Sequence, residues 1–256
     1  MSNYLMYEKE EGLAAYLQYL PTILNRRHNN CNCRDCDFDF LIIEGIKHVH
    51  HLFYSEIILL KHNKQTAAEL MIRPIAEMTI DLMFIGLNIN KYLPLYLAFD
   101  VNRHIFFYEE ILAGRSNIEL SRQEKEKLEA DIANSKERLR KESLPFYSRS
   151  QWINITLPDQ LSQLIKSEKY PFLFSSNYKN RIKLLHLLTH SSAFQLSRRE
   201  GYNIQFYKSD EPIKLTIDWL MYLLEFVKIR FNKNSIETDI KKYHKMFYPE
   251  KYTISP

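Results

Sequence analysis

The chain has 256 residues, enough to bury a substantial core in one large domain or two small ones. Only 5 Gly and 9 Pro occur, too few for the many tight turns of an all-β fold, so the composition points to helices. The net charge of +4 is mild and uneven: residues 1–114 carry 10 basic against 14 acidic side chains, residues 115–143 carry 8 against 7, and residues 144–256 carry 17 against 10. A basic C-terminal half suits a polyanion partner such as RNA. It equally suits an ordinary basic surface, because no dense Lys/Arg patch stands out. No apolar run reaches the ~18 residues that span a bilayer, so no membrane partner is expected. The start, MSNYLMYEKEEG, has no basic segment followed by an apolar one, as a signal peptide would. The three cysteines share one short stretch and form no disulfide framework. The expected compartment is the cytoplasm.

Residues 4–20 read as a short amphipathic helix stopped at Pro21. Residues 25–36 are polar and aperiodic, which reads as a loop, and they hold His28, Cys31, Cys33 and Cys36. Asp37 or Asp39 can cap the next helix, which runs to about His62. Its apolar stripe is Ile42, Ile46, Val49, Phe53, Ile57 and Leu60. A second stripe beside it holds Glu44, His48, His51 and Ser55.

The following helix, about Gln65 to Leu87, is apolar over most of its surface, the pattern of a helix buried on several sides. Arg73, Glu77 and Asp81 nevertheless recur every four residues and fall on one face. Buried charges are costly unless paired. Two readings follow: an ion-pair ladder that fixes packing, or one wall of a polar pocket. Pro74 either opens this helix in its first turn or kinks it.

After a short connection at Asn88–Lys91, Tyr92 to Leu112 forms a helix with Asp100 and His104 four apart. Residues 117–142 are charged with mixed sign, which reads as a solvated helix, or a helical hairpin bent near Ala133–Ser135. It projects from the bundle or packs along it with little burial. Leu144–Pro158 is a connector containing Trp152, and Asp159–Glu168 a short helix. Tyr178–Gln195 is a helix with Arg181, His186 and His190, and Ser197–Pro212 a polar loop. Ile213–Phe231 is a strongly apolar core helix, and Ser235–Phe247 a terminal helix bearing Lys241, Lys242 and Lys245. The expected architecture is an all-α helical bundle with a protruding charged helix or helical hairpin. Residues 1–38 hold the N-terminal helix and Cys loop. Residues 39–256 form the bundle, with 117–142 as a charged insertion.

Four groups of residues carry possible chemistry. His28, Cys31, Cys33 and Cys36 are soft ligands of the type that holds zinc, though four so close need a tight wrap of the chain and no second ligand pair is evident. The other reading is a surface loop with reduced thiols, and no other cofactor is expected. His48/His51 and His186/His190, with Glu44, Asp100 and His104, are spaced along helix faces. They lack the Glu-x-x-His pairs of a di-metal bundle, so satisfied core or surface histidines are the plainer reading. Arg181-Ile-Lys-Leu-Leu-His186 resembles the Arg-x4-6-His signature of HEPN ribonucleases, in which His moves a proton at the 2′-hydroxyl and Arg stabilises the phosphorane charge. A chain with this many Arg and His supplies such a match by chance. No phosphate-binding Gly loop, GxSxG elbow or HExxH is present.

The fourth group is a linear order. Arg73-x-x-x-Glu77 on an apolar helix is followed by the Trp152 connector and a short helix. Then come Tyr178 and a helix ending Leu-Leu-Thr-His190-Ser191-Ser192. This order, over roughly residues 40–232, resembles a mostly bacterial family of helical proteins, domain of unknown function 5677. The resemblance implies an all-helical fold, an Arg–Glu pair on one helix and a His–Ser element on a later one. Such proteins are distantly similar to HEPN-like bundles of toxin and phage-defence systems. The family pattern selects Arg73, Glu77, Tyr178, His190 and Ser191 or Ser192. It does not select Arg181 or His186, so the two signatures point to different histidines.

The composite expectation is a polar centre of Arg73, Glu77 and His190, with Asp81, His104 and His48 as neighbours. In a ribonuclease reading, Arg73, held by Glu77, faces a phosphate, His190 transfers the proton, and Tyr178, Ser191, His104, Arg181 and His186 contact substrate. In the rival reading Arg73, Glu77 and His190 are a structural network in a non-enzymatic module that binds a partner protein or a second copy of the chain.

Overall fold

A helix that is apolar on nearly every side needs other helices around it, and Gln65–Leu87 is the chain's clearest case. A computed structural model describes residues 7–24, 34–116, 118–141, 152–153, 155–170, 211–232 and 234–249. Among them are eight helices and no strand, the all-α architecture that the composition implies. In chain order these are α1 (Glu8–Leu24), α2 (Arg34–Lys61), α3 (Gln65–Leu87), α4 (Ile89–Leu112), α5 (Arg122–Lys141), α6 (Leu157–Lys166), α7 (Glu211–Phe231) and α8 (Asn234–Phe247). No helix among the described residues is long and apolar enough to cross a membrane. The chain divides into two compact units, residues 1–87 with 157–256, and residues 88–156.

In the first unit α2 and α3 form an antiparallel hairpin. Asn63, at φ 55°, closes the end of α2, with Asn63 N–H bonded to Leu60 O and Lys64 N–H to Leu59 O, a Schellman pattern. All six residues of the α2 stripe, from Ile42 to Leu60, are buried. α1 lays Leu13, Leu17, Leu20 and Leu24 against α2. α3 is covered by α2, α6 and α7, and Ala68, Ile72, Ile75, Ala76, Ile80 and the run Leu82–Ile85 are buried between them. α7 supplies Trp219, Leu220, Leu223, Leu224, Phe226 and Val227, the core role its composition suggests, and α8 packs on it.

In the second unit α5 packs along α4. Ala98 and Ile105 meet Ile132 and Leu139, and Lys136 Nζ bonds Glu109 Oε1 at 2.6 Å. The charged stretch is therefore one continuous helix through Ala133–Ser135, not a bent hairpin, and it buries just Ile132 and Leu139. Its start is a capping box: Ser121 Oγ accepts from Glu124 N–H, and Glu124 Oε2 accepts from Ser121 N–H. Trp152 is buried, its ring edge-on to Tyr92 and Tyr96.

Several boundaries differ from the sequence reading. α1 runs through Pro21 to Leu24; both residues are buried, and that packing outweighs the one backbone bond Pro21 cannot make. α2 begins at Arg34, which places Cys36 in a helical first turn instead of a loop. Asp37 and Asp39 lie inside α2 and so do not cap it. α3, by contrast, keeps the expected bounds of Gln65–Leu87, so Pro74 is interior and not in a late first turn, and it leaves the Leu70 carbonyl without its helical donor. The connection before α4 shrinks to Asn88, whose side chain caps the helix by accepting from Lys91 N–H.

Close helix contacts depend on two glycines. A Cβ on Gly86 would lie 2.6 Å from Tyr170 Oη and 3.0 Å from Phe226 Cε2, whereas on Gly45 the nearest atom is the mobile Leu82 Cδ1 at 2.9 Å. Tyr170 cannot easily retreat, because its hydroxyl donates to Met83 O at 3.1 Å. Gly86→Ala is expected to cost about 1–3 kcal/mol in urea unfolding. Gly45→Ala should be close to neutral, since a gain of ~1 kcal/mol in helix propensity offsets a soft contact. Equal effects would contradict this packing.

Candidate functional site

The polar face of α3 carries Glu69, Arg73, Glu77 and Asp81, one turn apart. Their surroundings differ. Glu69 is buried, while Arg73, Glu77 and Asp81 are half-buried. Arg73 Nε donates to Glu77 Oε1 at 2.6 Å, and the two side chains are 32% and 39% exposed. The pair therefore lies at the rim of the helix packing, not in a dry core. One edge of the guanidinium is fixed by a carboxylate on the same helix, while about a third of the side chain stays accessible. A planar guanidinium oriented in this way can meet an oxyanion with two parallel N–H groups.

The other arm of the expected site, with Tyr178, Arg181, His186, His190 and Ser191 (and Ser192), lies outside the described residues. So do His28, Cys31 and Cys33. Cys36 is half-buried at the start of α2, and no group of three metal-capable side chains occurs among the described residues.

Two expected neighbours are solvent-facing. His104 is 59% exposed, with Nδ1 3.0 Å from Asp100 O and 3.7 Å from Asp100 Oδ2, a local contact within α4. It belongs to the 88–156 unit, whereas Arg73 belongs to the other. His48 and His51 are exposed on α2, where Glu44 pairs instead with Lys47 at 2.6 Å. The Glu44–His48–His51–Ser55 stripe is thus an outer surface, because the apolar stripe beside it takes the core side of the same helix.

Other polar groups were not singled out by the sequence. Glu56 on α2 is fully buried and accepts from Thr216 Oγ1 on α7 at 3.0 Å, with Oε2 unpartnered. Burial pushes its carboxyl up to about 8, against the weaker opposing effect of the Thr216 bond. Its position was readable: Glu56 follows Phe53 by three residues, within the stripe of Val49, Phe53, Ile57 and Leu60.

Arg230, near the end of α7, clamps the start of α2. Its Nε donates to Asp39 Oδ1 at 2.6 Å and one terminal nitrogen to Asp35 Oδ1 at 2.8 Å, above the Phe38 ring. Glu225 holds Lys228 at 2.6 Å and His244 at 3.4 Å, and Tyr248 bonds Asp218. Burial raises the Glu225 carboxyl, but the bonds from His244 and Lys228 outweigh this and leave it below its ordinary value. These last groups join helices and explain how α7 and α8 are fixed.

The model of a family of unknown function (DUF5677) matches residues 39–200. The matched span includes Arg73, Glu77 and the Tyr178–Ser192 stretch, and it begins after the Cys loop. No curated protein and no solved structure matches the chain.

Exposure separates the two arginine pairs energetically. Arg73→Ala or Glu77→Ala should change unfolding free energy by no more than ~1 kcal/mol, as for other accessible i,i+4 pairs. Arg230→Ala should cost about 2–3 kcal/mol, because it removes the guanidinium from Asp39, whose side chain is 10% exposed. Thermal or urea unfolding of the three variants checks this, and a larger loss for Arg73→Ala would mean that its pair is structural.

Proposed function

The chain belongs to the family of unknown function DUF5677, and on that premise we propose that it is a HEPN-like helical protein of bacterial toxin or phage-defence type, acting as a metal-independent endoribonuclease. The observation that carries this reading is the Arg73–Glu77 pair, a guanidinium oriented by its own helix yet still a third exposed. A structural pair of this kind adds little stability, so its orientation is better suited to receiving an anion.

In this reading the RNA 2′-hydroxyl attacks the adjacent phosphorus, giving a 2′,3′-cyclic phosphate and releasing the 5′-oxygen. His190 takes the 2′-hydroxyl proton as general base, and in its protonated form returns one to the leaving oxygen. Arg73 bears the charge that develops on the phosphorane oxygens, and Glu77 holds Arg73 in place. Tyr178 and Ser191 are assigned to substrate contact, with Arg181 and His186 as a second basic pair on the same stretch of chain. No metal is required, and zinc at Cys31, Cys33, Cys36 and His28 would be structural.

A non-enzymatic reading rests on a separate observation. Leu97, Phe106 and Phe107 are each exposed on α4, apolar side chains in water that suit contact with a partner protein or a second copy of the chain.

The test is cleavage of single-stranded RNA by the purified chain in EDTA. His190→Ala and Arg73→Ala should each lower the rate ~100-fold or more with an unchanged melting temperature. No cleavage by the parent protein, or full activity in both variants, would remove the ribonuclease reading. Loss of activity in EDTA would remove its metal-independent form.

A further inference from the structure

Glu56 is an acid that the proposed chemistry does not use. It is fully buried where α2 faces α7, and its one hydrogen bond comes from the neutral Thr216 hydroxyl. A hydroxyl cannot neutralise a carboxylate, so the ion is far costlier here than the neutral acid.

Among the described residues, the surrounding elements place no cation in a hydrogen bond or ion pair with it. The contact of Gly45 with Met78 and Leu82 sets the α2–α3 register, and following it from residue 45 to residue 56 brings residues 67–71 of α3 opposite. Glu69, buried, falls in that window and is a second carboxyl, not a cation; Arg73, just beyond it, is bonded to Glu77. The Lys61–Glu11 pair sets the register of α1 and brings Tyr16 near position 56; burial pushes that phenol up, so it stays neutral. On α7, Lys214 near Thr216 is exposed, and Asp218 bonds Tyr248.

We propose that Glu56 is a proton-operated latch on the seam between α2 and α7. As a neutral acid it lets the two helices close over it; once ionised it loosens them and admits water to this side of the core. The direction of the pH effect follows from its two states. An ordinary glutamate ionises near 4.5, whereas in the fold burial holds Glu56 up to about 8. Its stabilising effect is therefore complete below the lower value, declines as the unfolded chain alone loses the proton, and is gone once pH passes the upper one. Across that window unfolding releases one proton from Glu56, so this group alone raises the unfolding constant about tenfold per pH unit.

The experiment is urea unfolding of the full chain and of Glu56→Gln at intervals from about pH 5 to 9. All other groups titrate alike in the two proteins, so their difference isolates residue 56. The ratio of unfolding constants, parent to variant, should grow ~100-fold or more between about pH 5 and 8 and then level off. A ratio constant within about threefold overturns the proposal. If Glu56→Gln does not fold, Glu56→Met serves the same comparison.

Two measurements on the parent need no variant. With 13C-labelled glutamate, one carboxyl titrating above about pH 7 supports the latch, and all carboxyls titrating below about pH 6 overturn it. Amide exchange, corrected for its intrinsic pH dependence, should show α2 and α7 losing protection from about pH 7 to 9. Unchanged protection overturns the loosening step.

Discussion

The constraint behind the rest of this fold is the burial of α3 on three sides. A helix with Ala68, Ile72, Ile75, Ala76, Ile80 and Leu82–Ile85 all out of water needs α2, α6 and α7 at close range. Close range in turn needs small residues at the crossings, which is why Gly45 and Gly86 face bulky neighbours where a Cβ would intrude. Tyr170 extends the same logic. It fills the space beside Gly86, bonds Met83 O, and is followed into place by Lys169, whose Nζ caps Gly86 O at 2.6 Å. The C-terminal end of α3 is thus closed by side chains from just after α6, and its polar residues have one rim left to them.

That geometry sorts the carboxylates. Glu77 reaches the rim and finds Arg73, and the ion pair keeps contact with water. Asp39 is nearly buried but gains the Arg230 guanidinium, itself shared with Asp35 and laid over Phe38. Among the described residues, Glu56 gains only a hydroxyl. The three have the same functional group, and the partner decides the charge state: a cation supports an anion, whereas a lone hydroxyl in a dry seam leaves the neutral acid as the stable form. Position along a helix decides which partner is within reach.

This sorting also marks what the sequence could reveal. The α2 stripe from Ile42 to Leu60 and the core character of α7 were legible, because burial is written as a period of apolar residues. The Arg73–Glu77 pair was legible too, since its partners are four residues apart on one helix. The pairing of Arg230 with Asp39 was not, for the two are 191 residues apart and no local pattern links them. Local rules misled where packing opposed them. Pro21 read as a stop, yet it lies inside a continuous helix held by its neighbours, and Pro74 likewise lies in a helix interior and not in a late first turn. Asp39 read as a cap, but its oxygen is taken by α7. His48 and His104 stood as candidate neighbours of the pocket beside the plainer reading of surface histidines, and both are exposed, because spacing gives a face without saying which way that face points. The histidine arm of the site, at residues 178–192, rests on the family pattern alone.

The extent of the family match bears on how such a site would be built. Residues 39–200 contain α2 from its second turn and all of α3 to α6, including Glu56 and the Arg73–Glu77 pair, and end before α7. Yet α7 packs against α3, donates the Thr216 hydroxyl to Glu56, and clamps the start of α2 through Arg230. Without α7, α3 would lose the apolar partner on that side, and an apolar face left in water is costly at roughly 25 cal/mol per Å2. Among the described residues, a helix that covers α3 thus lies beyond the matched segment. The setting of Glu56 and Asp39 therefore depends on α7 residues that lie beyond the matched span. Changes on the α7 face could shift the electrostatics of the matched segment while leaving every residue within it untouched.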